Sequence, residues 1–215
     1  MRVAKNIAVV ALLVGSAGVL YADETMNSEA FEQNGVIVDV HRFFTAISED
    51  IDQGEVEVVQ DTVAGRALVT EEGLYAFIET PENKNHLAET EHGSVVRIKG
   101  KLLRRGALLH IDQLDKINTV ALIDFARLRN DRGEEAILKG INKCQCGLNV
   151  GDLPHSCALG HLHHLEDMDG RIYHYLQFAE GKDAFLGSGS HFKNVEVKAR
   201  VMPGNFLLVQ DVRVE

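Results

Sequence analysis

Apolar positions in this chain come in short runs of the kind that form β-strands. In residues 95–103 apolar and polar side chains alternate over most of the run, as expected for a strand with one buried face. Glycine-containing turns separate several runs, which predicts hairpins. The predicted strands are 35–44, 66–70, 74–79, 95–103 and 107–114 in the first half, and 136–143, 161–165, 171–178, 195–201 and 206–210 in the second.

The strand pattern of the first half recurs in the second. The segments 73–78, 96–101 and 108–112 correspond, in the same order along the chain, to 170–176, 195–200 and 206–210. Three matched elements in one order indicate an internal repeat. We therefore predict two copies of one small fold, joined by a linker at 119–134.

Each repeat has about five short strands, with short helical connections at 81–92 and in the linker. Closing such a sheet into a barrel removes the exposed edges of short antiparallel strands. The hairpin 96–112, with its basic glycine turn and its end at Asp112, resembles the last hairpin of an OB-fold. We predict an all-β protein of two tandem five-stranded OB-like Greek-key barrels, formed by 35–118 and 135–215.

The first 22 residues have the pattern of a secretory signal peptide. Arg2 and Lys5 precede the apolar core 7–14, and small residues lead to a cleavable end at Ala22. A retained membrane anchor is the alternative, but the apolar run barely reaches the ~20 residues that span a bilayer. After cleavage the mature chain would start with a flexible acidic arm, 23–34, and contain no membrane span. The prediction is a periplasmic or secreted protein.

The charge of the chain narrows the range of partners. The formal net charge is −10, and removal of Arg2 and Lys5 with the leader would make it more negative still. Such a chain repels the phosphates of nucleic acids and anionic membrane surfaces. Nucleic acid is therefore not an expected partner, whereas a metal ion or an envelope protein is.

Cysteine and histidine are concentrated in the second repeat. All three cysteines and six of the ten histidines lie between Cys144 and His191. Thiolates combined with imidazoles select zinc or copper(I) over calcium or magnesium, and Gly147 permits a bend that lets two cysteines face one ion. The candidate metal ligands are Cys144, Cys146, His155, Cys157, His161, His163 and His191.

The same residues carry a resemblance to small secreted single-barrel domains of bacteria. Cys146-Gly147-Leu148 follows the first strand of the repeat, Cys157 precedes the second, and His191 precedes strand 195–201. Those domains have Cys-x-x-Cys-x-Leu at the first of these places, from which this chain departs by one residue. They are mostly of unassigned function, so the resemblance implies the location of a site and not an activity.

Three cysteines in an exported protein also allow one disulfide with a thiol left over. A Cys146–Cys157 or Cys144–Cys157 bond would tie the first strand to the second and stabilise the fold by about 2–3 kcal/mol. The chain would then be a disulfide-stapled module that binds a peptide, glycan or envelope protein. His161 and His163 share one strand face, which a polar outer face without metal explains equally well.

Motifs of common enzymes are missing, since the chain has no Gly-x-Ser-x-Gly, His-Glu-x-x-His or Walker sequence. A Cys157 nucleophile with His155 or His161, or thiol redox chemistry, would need a reactive thiol of lowered pKa. The sequence therefore favours a non-enzymatic exported protein that binds zinc or copper(I), with the disulfide-stapled module as the alternative.

Overall fold

The computed structural model describes residues 28–45, 65–118, 128, 131, 133–148, 150, 163–176 and 191–215. The first half forms one closed barrel of strand order β1-β2-β3-β5-β4, in which β1 pairs with both β2 and β4, and β3 runs parallel to β5. Its elements are β1 (Glu29–Asp39), α1 (Val40–Thr45), β2 (Arg66–Val69), β3 (Leu74–Phe77), α2 (Pro81–Leu87), β4 (Val95–Leu103) and β5 (Leu108–Lys116).

The second half forms another closed barrel, and its strands follow the same order. Here β6 pairs with β7 and β9, and β8 runs parallel to β10. The strands are β6 (Glu134–Cys144), β7 (His163–Asp167), β8 (Ile172–Tyr175), β9 (Asn194–Met202) and β10 (Phe206–Val214). The predicted all-β fold of two tandem five-stranded barrels is confirmed.

A shared irregularity supports the internal repeat at the level of register. In the β4–β5 ladder the pairing shifts so that Asp112 is left as a bulge, and in the β9–β10 ladder it shifts in the same way at Gln210. These are the last residues of the matched segments 108–112 and 206–210. Bulges increase the local twist of a strand and help a sheet to close on itself.

Strand β1 begins earlier than the sequence pattern predicts. Its first residues, predicted as part of the acidic arm, pair with β4 from Glu29 to Asn34. Phe31 points into the core, with 5% of its surface exposed, whereas Glu32 is exposed and lies 3.2 Å from Lys99. The segment lacks an apolar period, but β4 needs a partner if the barrel is to close.

Helix α2 packs against the first barrel and is fixed to it by a buried asparagine. Thr80 caps the helix by accepting a hydrogen bond from the Asn83 amide at 3.0 Å. The Asn83 side chain donates to Ile78 O at 2.8 Å and to Leu109 O at 3.0 Å, and accepts from Ile111 N at 2.8 Å. The side-chain amide thereby joins β5 to the end of β3.

Two apolar clusters run across the boundary between the barrels. One joins Phe44 and neighbouring residues of the first barrel to Leu176, Met202 and Phe206 of the second, with the rings of Phe44 and Phe206 5.6 Å apart. The other packs Leu108 and its neighbours against Ile172 and residues 148 and 150. Because apolar burial is shared in this way, each barrel contributes to the core of the other.

A buried ion pair also crosses this boundary. Arg104, in the β4–β5 turn, places a guanidinium nitrogen 3.0 Å from Glu166 Oε1 and donates to Gly170 O at 3.2 Å. Lys143 approaches the other Glu166 oxygen at 2.7 Å. The Arg104 side chain is only 3% exposed, so the pair forms in a largely desolvated interface.

Several sequence predictions fall outside the described residues, including the signal peptide 1–22 and the candidate ligands His155, Cys157 and His161. Both predicted disulfides involve Cys157 and therefore lie outside them as well. In the part of the chain that the structure describes, no helix is long and apolar enough to cross a membrane.

Candidate metal centre

The turn after β6 places two thiols on one site. The strand ends at Cys144, and residues Gln145–Gly147 form a single 3-10 turn in which Leu148 N donates to Gln145 O at 3.0 Å. The bend that Gly147 permits is therefore present. It turns Cys146 back towards Cys144, so that the two Sγ atoms lie within 4.8 Å of each other.

Three of the seven predicted ligands form a compact group. The donor atoms of Cys144, Cys146 and His191 all lie within 4.8 Å of one another. Tetrahedral ligands at about 2.0–2.3 Å from a zinc ion stand roughly 3.5–3.8 Å apart. Small side-chain rotations would thus bring all three donors onto one ion. Cys144 is buried and Cys146 lies at the surface, so the site is open on the Cys146 side.

His163 lies next to this group, on its buried side. It pairs with Cys144 across the β6–β7 ladder and is 2% exposed. Its ring is 5.1 Å from that of His191 in an edge-to-face arrangement. The structure thus brings His163 next to the three donors without including it in their group.

The turn before β9 positions His191. His191 is followed by Phe192, whose backbone has φ +56° and whose amide donates to Asn142 O at 2.8 Å. The two rings are stacked, with centroids 4.4 Å apart and planes inclined by 16°. The Phe192 ring also lies against Gly147, where an added Cβ would come within 2.3 Å of it. Phe192 therefore connects the His191 turn to the cysteine turn.

Gln145, between the two cysteines, anchors their turn in the first barrel. Its side-chain oxygen accepts from Glu79 N at 2.9 Å, and its side-chain nitrogen donates to Glu79 O at 2.6 Å. Gln145 is 2% exposed, and buried amides need such partners because water cannot reach them. The first barrel thus holds the turn that carries the candidate ligands of the second.

The first barrel has different residues at the equivalent positions. Asp39 ends β1 as Cys144 ends β6, and His92 precedes β4 as His191 precedes β9. There His92 Nδ1 accepts a hydrogen bond from Asp39 N at 2.9 Å, and Asp39 accepts from Arg42 N at 2.8 Å. Among the described residues, a group of three or more metal-type ligands occurs at the second-barrel position alone.

A second histidine cluster, which the sequence did not identify, lies between the barrels. His164 and His174 are both buried, with their Nδ1 atoms 3.1 Å apart. His174 Nε2 lies 2.9 Å from Ala107 O, an acceptor, so Nε2 must carry a proton and donate it. If His174 is neutral, its Nδ1 accepts, and His164 must donate from Nδ1. The network therefore assigns one tautomer to each ring.

Burial keeps both of these histidines uncharged. Loss of solvation lowers the pKa of His174 to about 4, although its bond to Ala107 O acts in the opposite direction. Burial, followed by the nearby His174 and His163, holds the pKa of His164 well below its usual range. A cavity of about 20 Å³, lined by His163, His164, His174 and Tyr175 among others, has room for about one water molecule.

Fold and site together define an all-β tandem-barrel protein with a candidate thiolate–imidazole metal centre in the second barrel. Comparisons with protein-family models, with curated proteins and with solved structures found no match to this chain.

Proposed function

We propose that this chain is an exported metal-binding protein that holds zinc or copper(I) between Cys144, Cys146 and His191. The observation that carries the proposal is the approach of the three donor atoms to within 4.8 Å of one another. Two of these residues lie on one turn and the third on another, so a bound ion would join two segments of the second barrel. The proposed role of this site is metal binding, and no catalytic step is assigned to it.

The donor set restricts the choice of metal. Thiolate sulfur is a soft ligand and imidazole a borderline one, which suits copper(I) and zinc and disfavours calcium and magnesium. Copper(I) is satisfied by these three ligands. Zinc takes four in structural sites, and the candidates for its fourth ligand are a water molecule and the remaining predicted ligands His155, Cys157, His161 and His163.

Export is part of the proposal and rests on the leader pattern of residues 1–22. In an oxidising compartment thiols form disulfides, so metal and disulfide compete for the cysteines. A bound ion would protect Cys144 and Cys146 from pairing with Cys157. The physiological ligand is therefore the metal in this proposal, and the disulfide-bonded chain is the alternative form.

Elemental analysis combined with thiol counting tests the proposal on the mature chain, 23–215, purified without chelator. We expect about one zinc or copper ion per chain, with thiols that react with a thiol reagent only after chelation. His191→Ala should lower the bound metal, and the matched control His92→Ala, at the equivalent position of the first barrel, should not.

Two outcomes would contradict the proposal. The first is a metal-free protein with one disulfide, which would favour a stapled module that binds a peptide, glycan or envelope protein. The second is a Cys144→Ser/Cys146→Ser variant that retains the metal content of the unchanged protein, since the ion would then lie elsewhere.

A further inference from the structure

The turn that carries His191 has the same backbone hydrogen bonds as its counterpart in the first barrel. The amide of Gly93 donates to Ile37 O at 2.8 Å, and the amide of Phe192 donates to Asn142 O at the same distance. In the opposite direction, Ile37 N donates to Ser94 O and Asn142 N donates to Lys193 O, each at 2.9 Å. Gly93 and Phe192 therefore occupy equivalent positions, with φ of +88° and +56°.

This position favours glycine, because a left-handed backbone is uncommon for a bulky residue. The first barrel has Gly93 there, whereas the second has Phe192. Core packing does not account for the difference, since Phe192 is 53% exposed. Phe192 instead makes two contacts within the candidate site. Its ring stacks on His191, with centroids 4.4 Å apart, and packs against Gly147.

We infer that Phe192 is a positioning residue of the metal centre, an inference that rests on the proposed function. The ring does not supply a donor atom. It fixes the plane of the His191 imidazole and holds that ring against the turn that carries Cys146. The donors therefore stand together before the ion arrives, and ordering them costs less free energy when it binds.

The Phe192 ring links the turn of His191 to the turn of Cys146. His163 contacts His191 edge-to-face from the buried side, whereas Phe192 stacks on His191 and also reaches Gly147. Loss of the Phe192 ring should therefore release His191 and the Cys146 turn from each other.

The experiment replaces Phe192 with the residue of the first barrel. Phe192→Gly suits the left-handed backbone, so the variant should fold with an unchanged or higher Tm. Its affinity for zinc and for copper(I), measured by competition with a chromogenic chelator, should fall by about tenfold or more, as for other residues that orient ligands. Phe192→Tyr retains the stack and should restore most of the affinity. Met168→Ala, which removes another exposed apolar side chain, should have no effect.

A metal-free measurement separates this inference from the proposed function. In the apo protein the Phe192 ring current should shift the NMR signals of the His191 ring, and Phe192→Gly should remove that shift and increase the rate at which Cys146 reacts with a thiol reagent. Unchanged His191 signals and Cys146 reactivity would overturn the inference, as would an unchanged metal affinity. A protein that binds no metal but shows both apo effects would overturn the proposed function and leave Phe192 as a residue that orients His191 and the Cys146 turn.

Discussion

Protonation of His164 or His174 is unfavourable in the folded protein because both rings are buried. Each ring donates one hydrogen bond and His174 also accepts one in the chain from His164 to Ala107 O. A proton added to His174 Nδ1 would put two donors face to face across the 3.1 Å between the Nδ1 atoms. It would also place a charge where water cannot solvate it. Both histidines are therefore neutral in the folded protein near pH 7.

Stability should fall as the pH drops from about 6.5 to about 4. The unfolded chain takes up a proton on His174 near its ordinary pKa of about 6.5, whereas the folded protein does so only near 4. In this range the unfolded state binds more protons, so the free energy of unfolding decreases with falling pH, by about 3 kcal/mol for His174 alone. Urea titrations between pH 4 and pH 8 would measure this.

Substitution identifies the group responsible for this pH dependence. His174→Gln should flatten the slope of stability between pH 4 and pH 6.5, whatever its effect on stability at pH 7. His86→Gln, on α2 and distant in the chain, should leave the slope as it is. An identical slope in His174→Gln and the unchanged protein would show that other groups cause the acid sensitivity.

The sequence could not reveal the His164–His174 pair. Alternation along a strand shows which residues share a face, but not which faces are covered by other parts of the fold. Alternation along β7 predicts that His163 and His164 lie on opposite faces, one of them outward. Both are 2% exposed, since β7 is covered on one face by its own barrel and on the other by the first barrel. The candidate ligands Cys144, Cys146 and His191 could be predicted because their chemistry is distinctive and concentrated in one repeat.

At the scale of elements, the 3-10 turn after β6 depends on a residue within the turn and on a contact with the other barrel. Gly147 is a local signal, since glycine permits the bend that the structure shows. The partner of Gln145 is not local, because Glu79 lies on the other barrel, 66 positions away. A polar residue between two cysteines gives no sign that it is buried. The anchoring of the site could therefore not be predicted.

Gln145→Ala should destabilise the protein and also weaken metal binding at the proposed centre. The change removes two buried hydrogen bonds and leaves the Glu79 N–H and C=O without these partners, which costs about 2–4 kcal/mol. The turn would also lose its fixed position, so metal affinity should fall. Thermal unfolding of the metal-free protein and chelator competition measure the two effects separately.

Gln113→Ala is the matched control for this change. Gln113 also makes a side-chain hydrogen bond, to Asp115 at 2.9 Å, but it is exposed, and exposed polar pairs contribute little. It should alter stability by less than about 0.5 kcal/mol. If Gln145→Ala had an equally small effect, the anchor to Glu79 would not contribute to the site.

At the scale of the whole molecule, the sequence predicts the barrels but not how they pack. Hairpins and the repeat are local features, so the matched segments 73–78 and 170–176 sufficed to infer two copies of one fold. The contacts between the copies join residues far apart, such as Arg104 and Glu166. They depend on shape and charge in three dimensions, and charged residues in turns are ordinarily exposed. Nothing in the sequence marked Arg104 as buried.

The Arg104–Glu166 pair should make the two barrels unfold as one unit. Arg104→Met keeps a long side chain but leaves Glu166, 15% exposed in its side chain, with Lys143 as its remaining ion-pair partner described here. Loss of a hydrogen bond between charged groups costs about 1.5–3 kcal/mol, less than a buried charge left with no partner, and this loss falls on the interface. In a calorimeter we expect one thermal transition for the unchanged protein and two for Arg104→Met.

The surface pair between Lys99 and Glu32 distinguishes this effect from a general loss of charge. Its side chains are 47% and 59% exposed, so Lys99→Met should cost less than about 1 kcal/mol and keep a single transition. Persistence of one transition in Arg104→Met, with an equally small loss, would assign the coupling to the shared apolar clusters instead. Since Phe44 and Phe206 lie in one of these clusters, Phe206→Ala would then be the change that separates the barrels.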